Sequence, residues 1–270
     1  MKRIISLYFS PNGTVKKSIQ GIISGLESRV GRDVEFLEID LTLKENREKE
    51  IEFNMDDVVI VGIPVYAGRV PNILLKSLRK IKGRDARAFA HVVYGNRNYD
   101  DALIELIDIL VEDDFKVLGA CASLGQHSFS KKLATNRPDS KDLEELRALG
   151  EKLFNSLNKD YEFDIGIIPG NRPYGPYYQP RDKDGSIVNF KDIKPETSNT
   201  CIDCKICYYS CPMDSINYED VSRIGTCIKC CACVNKCPTG AKEFKDNDFI
   251  HHKEELELEY TAYKELETFL

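Results

Sequence analysis

The chain has 270 residues, 42% hydrophobic and 30% charged, which is enough for a buried core and excludes disordered, collagenous and low-complexity classes. A formal net charge of −6 argues against a nucleic-acid binder, because phosphate neutralisation needs a clustered excess of Lys and Arg. At ~100–200 residues per domain, one medium and one small domain are expected.

Ile4 to Phe9, preceded by Lys2 and Arg3, mimics a signal peptide only until Ser10, Pro11, Lys16 and Lys17 end the apolar stretch. No apolar run approaches the ~20 residues of a membrane helix. A cytoplasmic protein without membrane insertion is the expectation.

Residues 1–160 alternate apolar runs with amphipathic stretches. Ile4 to Phe9, Val34 to Ile39, Val58 to Ile63, Ala88 to Tyr94 and Val117 to Ala122 read as strands. Helical faces recur between and after them, as in Val15, Ile19, Ile22 and Leu26, or Leu103, Leu106, Ile107 and Leu110. Near-continuous apolar strands alternating with helices predict an α/β fold, a doubly wound five-stranded parallel sheet covered on both faces.

Three loops at predicted strand ends are candidate ligand loops. Ser10, Pro11, Asn12, Gly13 and Thr14 precede the first helix, where backbone N–H groups and the helix N-terminus suit an anion. No G-K-[ST] follows, so a phosphate monoester fits better than a triphosphate. Pro64, Val65, Tyr66, Ala67, Gly68 and Arg69 follow the third strand, and Gly95, Asn96, Arg97, Asn98, Tyr99 and Asp100 the fourth. Each offers an aromatic, a glycine and an arginine, suited to a planar heterocycle. After the fifth strand, Cys121 reads as a core thiol and His127 as a candidate on the ligand edge.

Residues 161–200 are punctuated by Pro169, Pro173, Pro176 and Pro180, with Gly170, Gly175 and Gly185 between them. Tyr174, Tyr177, Tyr178 and Phe190 make the segment too aromatic for a solvated spacer. An ordered strap packed on the first domain is expected, with cover for a cofactor site as the sharper alternative.

Nine of the ten cysteines lie in residues 201–250. Cys201, Cys204, Cys207 and Cys211 precede Pro212 with the spacing C-x2-C-x2-C-x3-C-P. Cys227, Cys230, Cys233 and Cys237 repeat it before Pro238, each displaced by 26 positions. Zinc prefers separated C-x2-C pairs, and so dense a set of thiols in a cytosolic chain reads as metal ligands rather than disulfides. In such runs three cysteines hold one iron–sulfur cluster and the fourth reaches the other. The expectation is one [4Fe–4S] cluster on Cys201, Cys204, Cys207 and Cys237, and a second on Cys227, Cys230, Cys233 and Cys211. Cys231 is a spare thiol. Residues 251–270 read as one docking helix, with a homodimer contact as the alternative and His251 and His252 solvated.

The cysteine region resembles the bacterial two-cluster ferredoxins. The residue after the second cysteine, often Gly there, is Lys205 or Cys231, and the position five after the fourth is Ile216 or Lys242. Exposure and nearby charge tune potential, so the two clusters need not be equivalent. The three loops together resemble flavodoxins, and more closely the fused flavodoxin–ferredoxin proteins of anaerobes. That family's pattern reads roughly S-P-T-G-T-T, P-V-Y-x-G-R-x-P and Y-G-N-R-x-Y-D-D-A-L, and the resemblance covers nearly the whole chain. It implies a flavodoxin-like first domain binding FMN, with phosphate at Ser10 to Val15 and the ring between the Tyr66 and Tyr99 loops. His127 and Ser128 resemble a pair in that family. Asn12 and Val15 replace two hydroxyl residues of the pattern; Asn12 keeps a donor, and Val15 only its backbone N–H.

A flavin accepts one or two electrons and iron–sulfur clusters one at a time, so their union reads as an electron conduit serving redox partner proteins. Two other classes stay open. One is a flavin-dependent reductase of a small substrate, and the other a redox-sensing or docking protein on a flavodoxin-like scaffold.

Overall fold

Ile4, Ile5, Leu7 and Tyr8 are almost wholly buried because β1 (Arg3–Tyr8) runs through the middle of a sheet with helices on both faces. The computed structural model describes residues 1–157 and 163–270. The domain boundary expected at 160/161 lies outside the described residues.

In chain order, α1 (Thr14–Glu27), β2 (Glu35–Asp40), α2 (Lys44–Glu48) and β3 (Ile51–Glu52) follow β1. Then come β4 (Asp57–Pro64), α3 (Asn72–Leu78), β5 (Ile81–Lys82), β6 (Arg87–Tyr94), α4 (Ala102–Glu112), β7 (Lys116–Leu124) and α5 (Ser140–Ser156). The parallel strands are ordered β7-β6-β4-β1-β2, a doubly wound arrangement in which strand order reverses beside β1. Alternate residues serve opposite faces. Ile5, Leu7, Val59 and Val61 pack in one core with Leu103, Leu106 and Leu110 of α4. Ile4, Val58 and Ile60 pack in the other with Ile19 and Ile22 of α1 and Leu146 and Leu149 of α5.

Two expectations need correction. The sheet has six strands rather than five, and the chain's end is not one helix. After β8 (Glu196–Thr197), α6 (Ile206–Tyr209), α7 (Ala232–Asn235) and β9 (Lys242–Glu243), the helix α8 spans Asn247–Glu259, capped by the Asp246 carboxylate, which accepts from the N–H groups of Asp248 and Phe249. Beyond it the Asn96 amide donates to the carbonyls of Tyr260 (2.6 Å) and Ala262 (2.9 Å), and Arg137 donates to that of Lys264 (2.7 Å). These bonds hold the carbonyls outside a helix. They deliver β10 (Glu267–Phe269) antiparallel onto β7, covering a sheet edge that would otherwise expose unpaired backbone. Among the described residues no helix is long and apolar enough to cross a membrane.

The Pro- and Tyr-rich segment is docked on the first domain. The Asp101 carboxylate accepts from the N–H groups of Asn171 (2.8 Å) and Gly175 (2.7 Å), and the Tyr178 N–H donates to the Ala67 carbonyl (2.9 Å). The Arg69 guanidinium lies over the rings of Tyr174 and Tyr177. In the cysteine region α6 and α7 occupy corresponding places in the two repeats, and β8 pairs with β9.

Candidate functional site

The first loop turns where β1 ends. Gly13 takes a φ of +83°, a left-handed conformation that strains other residues, and α1 begins immediately after it. The Ser10 hydroxyl accepts from the Lys16 N–H (3.0 Å), so it satisfies a free donor in the helix's first turn. Asn12 points elsewhere. Its amide donates to the Cys230 carbonyl (2.6 Å) and its oxygen accepts from the Asn235 amide (3.1 Å), linking this loop to the second cysteine repeat.

Beside the loop lies a cavity of about 70 Å³ bounded by Ser10, Asn12, Thr14, Val15 and Pro64. It shares Val65, Tyr66, Gly95, His127 and Ser128 with a larger chamber of about 240 Å³. Ala67, Gly68 and Arg97 also line the chamber. Gly68, at φ +79°, has no room for a side chain, because an added Cβ would lie 2.1 Å from the Asp100 carboxylate. Four loops that are far apart in sequence therefore meet at the C-terminal ends of β1, β4, β6 and β7, beside the point where strand order reverses.

The remaining candidates lie outside the chamber wall. Arg69 is committed to Glu105 (2.7 and 2.8 Å) and to the Gly175 carbonyl (2.5 Å). Asn96 holds the carbonyls after α8. Tyr99 is buried edge-on against Tyr94 and donates to Glu267 (2.7 Å). Asp100 pairs with Arg97, and with Tyr99 it borders a separate open groove.

Tyr178 and Phe190, from the strap whose sharper alternative reading is cover for a cofactor site, also line the chamber; the wall that sequence reasoning missed is His252 and Leu256 of α8. His252, expected in solvent, is 4% exposed: its ring stacks on Tyr178 and meets Phe190 edge-on, and its Nδ1 has no hydrogen-bond partner. Burial brings its pKa down to about 4, helped by Arg97 and His251. Burial likewise lowers His127 to about 4. The aromatic excess of the strap was the available signal; nothing local marked His252.

The cysteine region supplies the last wall. Ile228 and Lys229, between Cys227 and Cys230, both line the chamber. Burial raises the Tyr66 hydroxyl pKa well above its ordinary value, and Cys230, Cys231 and Cys227 push it further in the same direction.

The two cysteine loops follow matching paths. Asp203 and Lys229 have φ values of 53° and 54°, and Lys205 and Cys231 of 61° and 59°. The Asp203 N–H reaches Cys201 Sγ and the Lys229 N–H reaches Cys227 Sγ, both at 3.4 Å. Cys201, Cys204, Cys207 and Cys237 line one cleft. Burial raises Cys230 and Cys233 to about 12 and also raises Cys227, and Cys211 acts electrostatically on all three. Such crowded buried thiols resist ionisation unless a cation compensates them. Among the described residues no group of three or more His, Cys, Asp or Glu is arranged to hold a single metal ion. Cys121 is buried in the core, and Cys231 packs against Ile193 and Phe249.

No family model matches the chain, and no curated protein does. Solved structures similar to it are flavodoxin-like and cover its N-terminal part. A flavodoxin from the domain Archaea is 20% identical, covering 58% of this chain and 99% of that one, with a TM-score of 0.38. Oxidised Flavodoxin 2 from Bacillus cereus is 15% identical over 57% of this chain and 98% of its own, with a TM-score of 0.42. The apo form of an NADH:FMN oxidoreductase is 16% identical over 59% and 92%, with a TM-score of 0.41.

Proposed function

We propose that the chain is an electron-transfer protein that passes electrons between two [4Fe–4S] clusters and FMN for redox partner proteins. When bound, the clusters supply one-electron chemistry and the flavin one- or two-electron chemistry. The observation that carries this reading is the shared wall: Ile228 and Lys229, from the loop between two candidate cluster ligands, line the same chamber as Tyr66, Gly95 and His127.

The residues are suited to these groups. The loop from Ser10 to Val15 offers backbone N–H groups at a helix start to a phosphate, and the adjoining chamber offers aromatic walls and the Arg97 guanidinium to a ring. The unpartnered, buried Nδ1 of His252 favours a polar group in the completed chamber. Tyr178, Phe190 and His252 cover it from outside, which suits transfer through the protein better than docking of a bulky organic substrate. For the clusters, support comes from the doubled spacing, the matched loop conformations and the crossed influence of Cys211 on Cys227, Cys230 and Cys233. Asn12, which departs from the family pattern, joins the two halves through Cys230.

Anaerobic purification with flavin, iron and sulfide analysis tests the cofactor set. Rapid mixing with a one-electron reductant tests the route: flavin reduction is expected at a rate independent of protein concentration. A rate proportional to concentration overturns the intramolecular route, and full cluster content without affinity for FMN overturns the flavin assignment.

A further inference from the structure

Lys242 is 2% exposed, an unusual place for an ammonium. Its Nζ donates to Thr197 Oγ1 (2.6 Å) and to the Val221 carbonyl, both neutral acceptors. Among the described residues no carboxylate lies within 4.0 Å of it. The acidic group that feels it, Asp220, is exposed and bonded to Ser222. A buried charge without an opposite charge is costly, so the sequence around Lys242 lacks the partner that its burial demands.

The surroundings supply a candidate. Lys242 lines the cleft formed by Cys201, Cys204, Cys207 and Cys237. Cys237 lies with it in that cleft, and the Lys242 charge acts on Cys207. The chain also contains its own comparison. Five positions after Cys211 stands Ile216, and five after Cys237 stands Lys242. Ile216 is 3% exposed and packs with Cys207 and Val221. Corresponding buried places in the two repeats thus hold a branched apolar side chain in one and a cation in the other.

We propose that Lys242 is a positioning residue for charge: it holds the cluster bound by Cys201, Cys204, Cys207 and Cys237 at a higher reduction potential than the other cluster. A fixed positive charge beside a thiolate-ligated cluster favours its more negative, one-electron-reduced form. Lys242 also acts on Cys233 of the other set, though less than that residue's own cysteine neighbours do. The inference rests on the two-cluster reading. It adds an order: the first electron settles on the cluster farther from the chamber, and the second is the one held beside Ile228 and Tyr66.

The test is a potentiometric titration of the full chain with dithionite as one-electron donor, followed by electron paramagnetic resonance. Two separate reduction steps are expected in the unaltered chain. In Lys242→Met the upper step should weaken by roughly tenfold or more in its reduction equilibrium, about 59 mV for one electron, while the lower step changes less. Lys242→Arg should retain the upper step. Lys242→Met with full iron and sulfide and unchanged potentials overturns the proposal. If that variant does not load, coincident steps in the unaltered chain overturn it. Absence of iron and acid-labile sulfide from the anaerobically purified chain instead overturns the two-cluster reading beneath it.

Discussion

Asn12, in the loop after β1, donates from its side-chain amide to the backbone carbonyl of Cys230, 218 positions away in sequence, at 2.6 Å. The loop after β1 and the second cysteine repeat are therefore joined directly. Asn12→Ala should remove about 1 kcal/mol of this docking. Hydrogen exchange should accelerate at residues 228–233, and flavin reduction after rapid mixing should slow while flavin affinity changes little. Unchanged exchange there would mean that Arg47, which donates to the Pro212 carbonyl, and the strap suffice to hold the junction.

Cys211→Ala should harm the cluster assigned to Cys227, Cys230 and Cys233 rather than the one nearer in sequence, because Cys211 acts on those three thiols. Site-resolved spectroscopy should show loss confined to that cluster. Cys231→Ala should retain both, since Cys231 packs with Ile193 and Phe249.

Ser10→Ala removes an acceptor for the Lys16 N–H as well as a hydroxyl from the small cavity. Two effects are expected together: FMN affinity falls roughly fivefold, about 1 kcal/mol, and the protein loses a similar amount of stability. Flavin fluorescence titration measures the first and urea unfolding of the flavin-free protein the second. Lost stability with unchanged affinity would assign Ser10 to helix capping alone.

Tyr99→Phe should leave the bound-flavin spectrum unchanged, because the Tyr99 ring rests on Tyr94 and its hydroxyl holds Glu267 at 2.7 Å. Its effect should fall on the last strand, with about 1 kcal/mol lost and faster exchange at Thr268 and Phe269. A shifted flavin spectrum would return Tyr99 to the ligand wall.

Acid should destabilise the protein before its carboxylates protonate. Burial lowers His91 to about 3 and His127 and His252 to about 4, while unfolded histidine titrates near 6.5. All three are neutral in both states above about pH 6.5. As pH falls from there toward 4 the unfolded chain binds protons that the folded chain excludes, so stability declines, by up to about 1.4 kcal/mol per pH unit for each site. Urea midpoints across that window measure the slope, and His252→Phe should reduce it. An unchanged slope would place His252 in water.

The wide, periodic elements were legible because their causes are local: alternating apolar runs mark β1, β4, β6 and β7, and the repeated faces mark α1 and α4. The doubled cysteine spacing was equally plain, since ligand geometry is set over a few residues. β10 was not legible, because three residues carry no period and Glu267–Phe269 becomes a strand only where the edge of β7 is open to it. The end of α8 was hidden for a similar reason: Tyr260 and Leu266 continue a helical face, and the carbonyls that stop it are taken by Asn96 and Arg137 from distant loops.

By itself the sequence determined the donor types, namely eight regularly spaced thiols, a glycine turn before a helix and two aromatic loops at strand ends. Only the tertiary structure decided which of these share a wall. It turned Tyr99, Arg69 and Asn96 from ligand candidates into ties for the last strand, the strap and the chain after α8, and it brought Tyr178, Phe190 and His252 to the chamber. The reason is physical: a residue's chemistry is carried in its side chain, but whether a donor faces a ligand or another part of the chain depends on which distant segment reaches it first when the core closes.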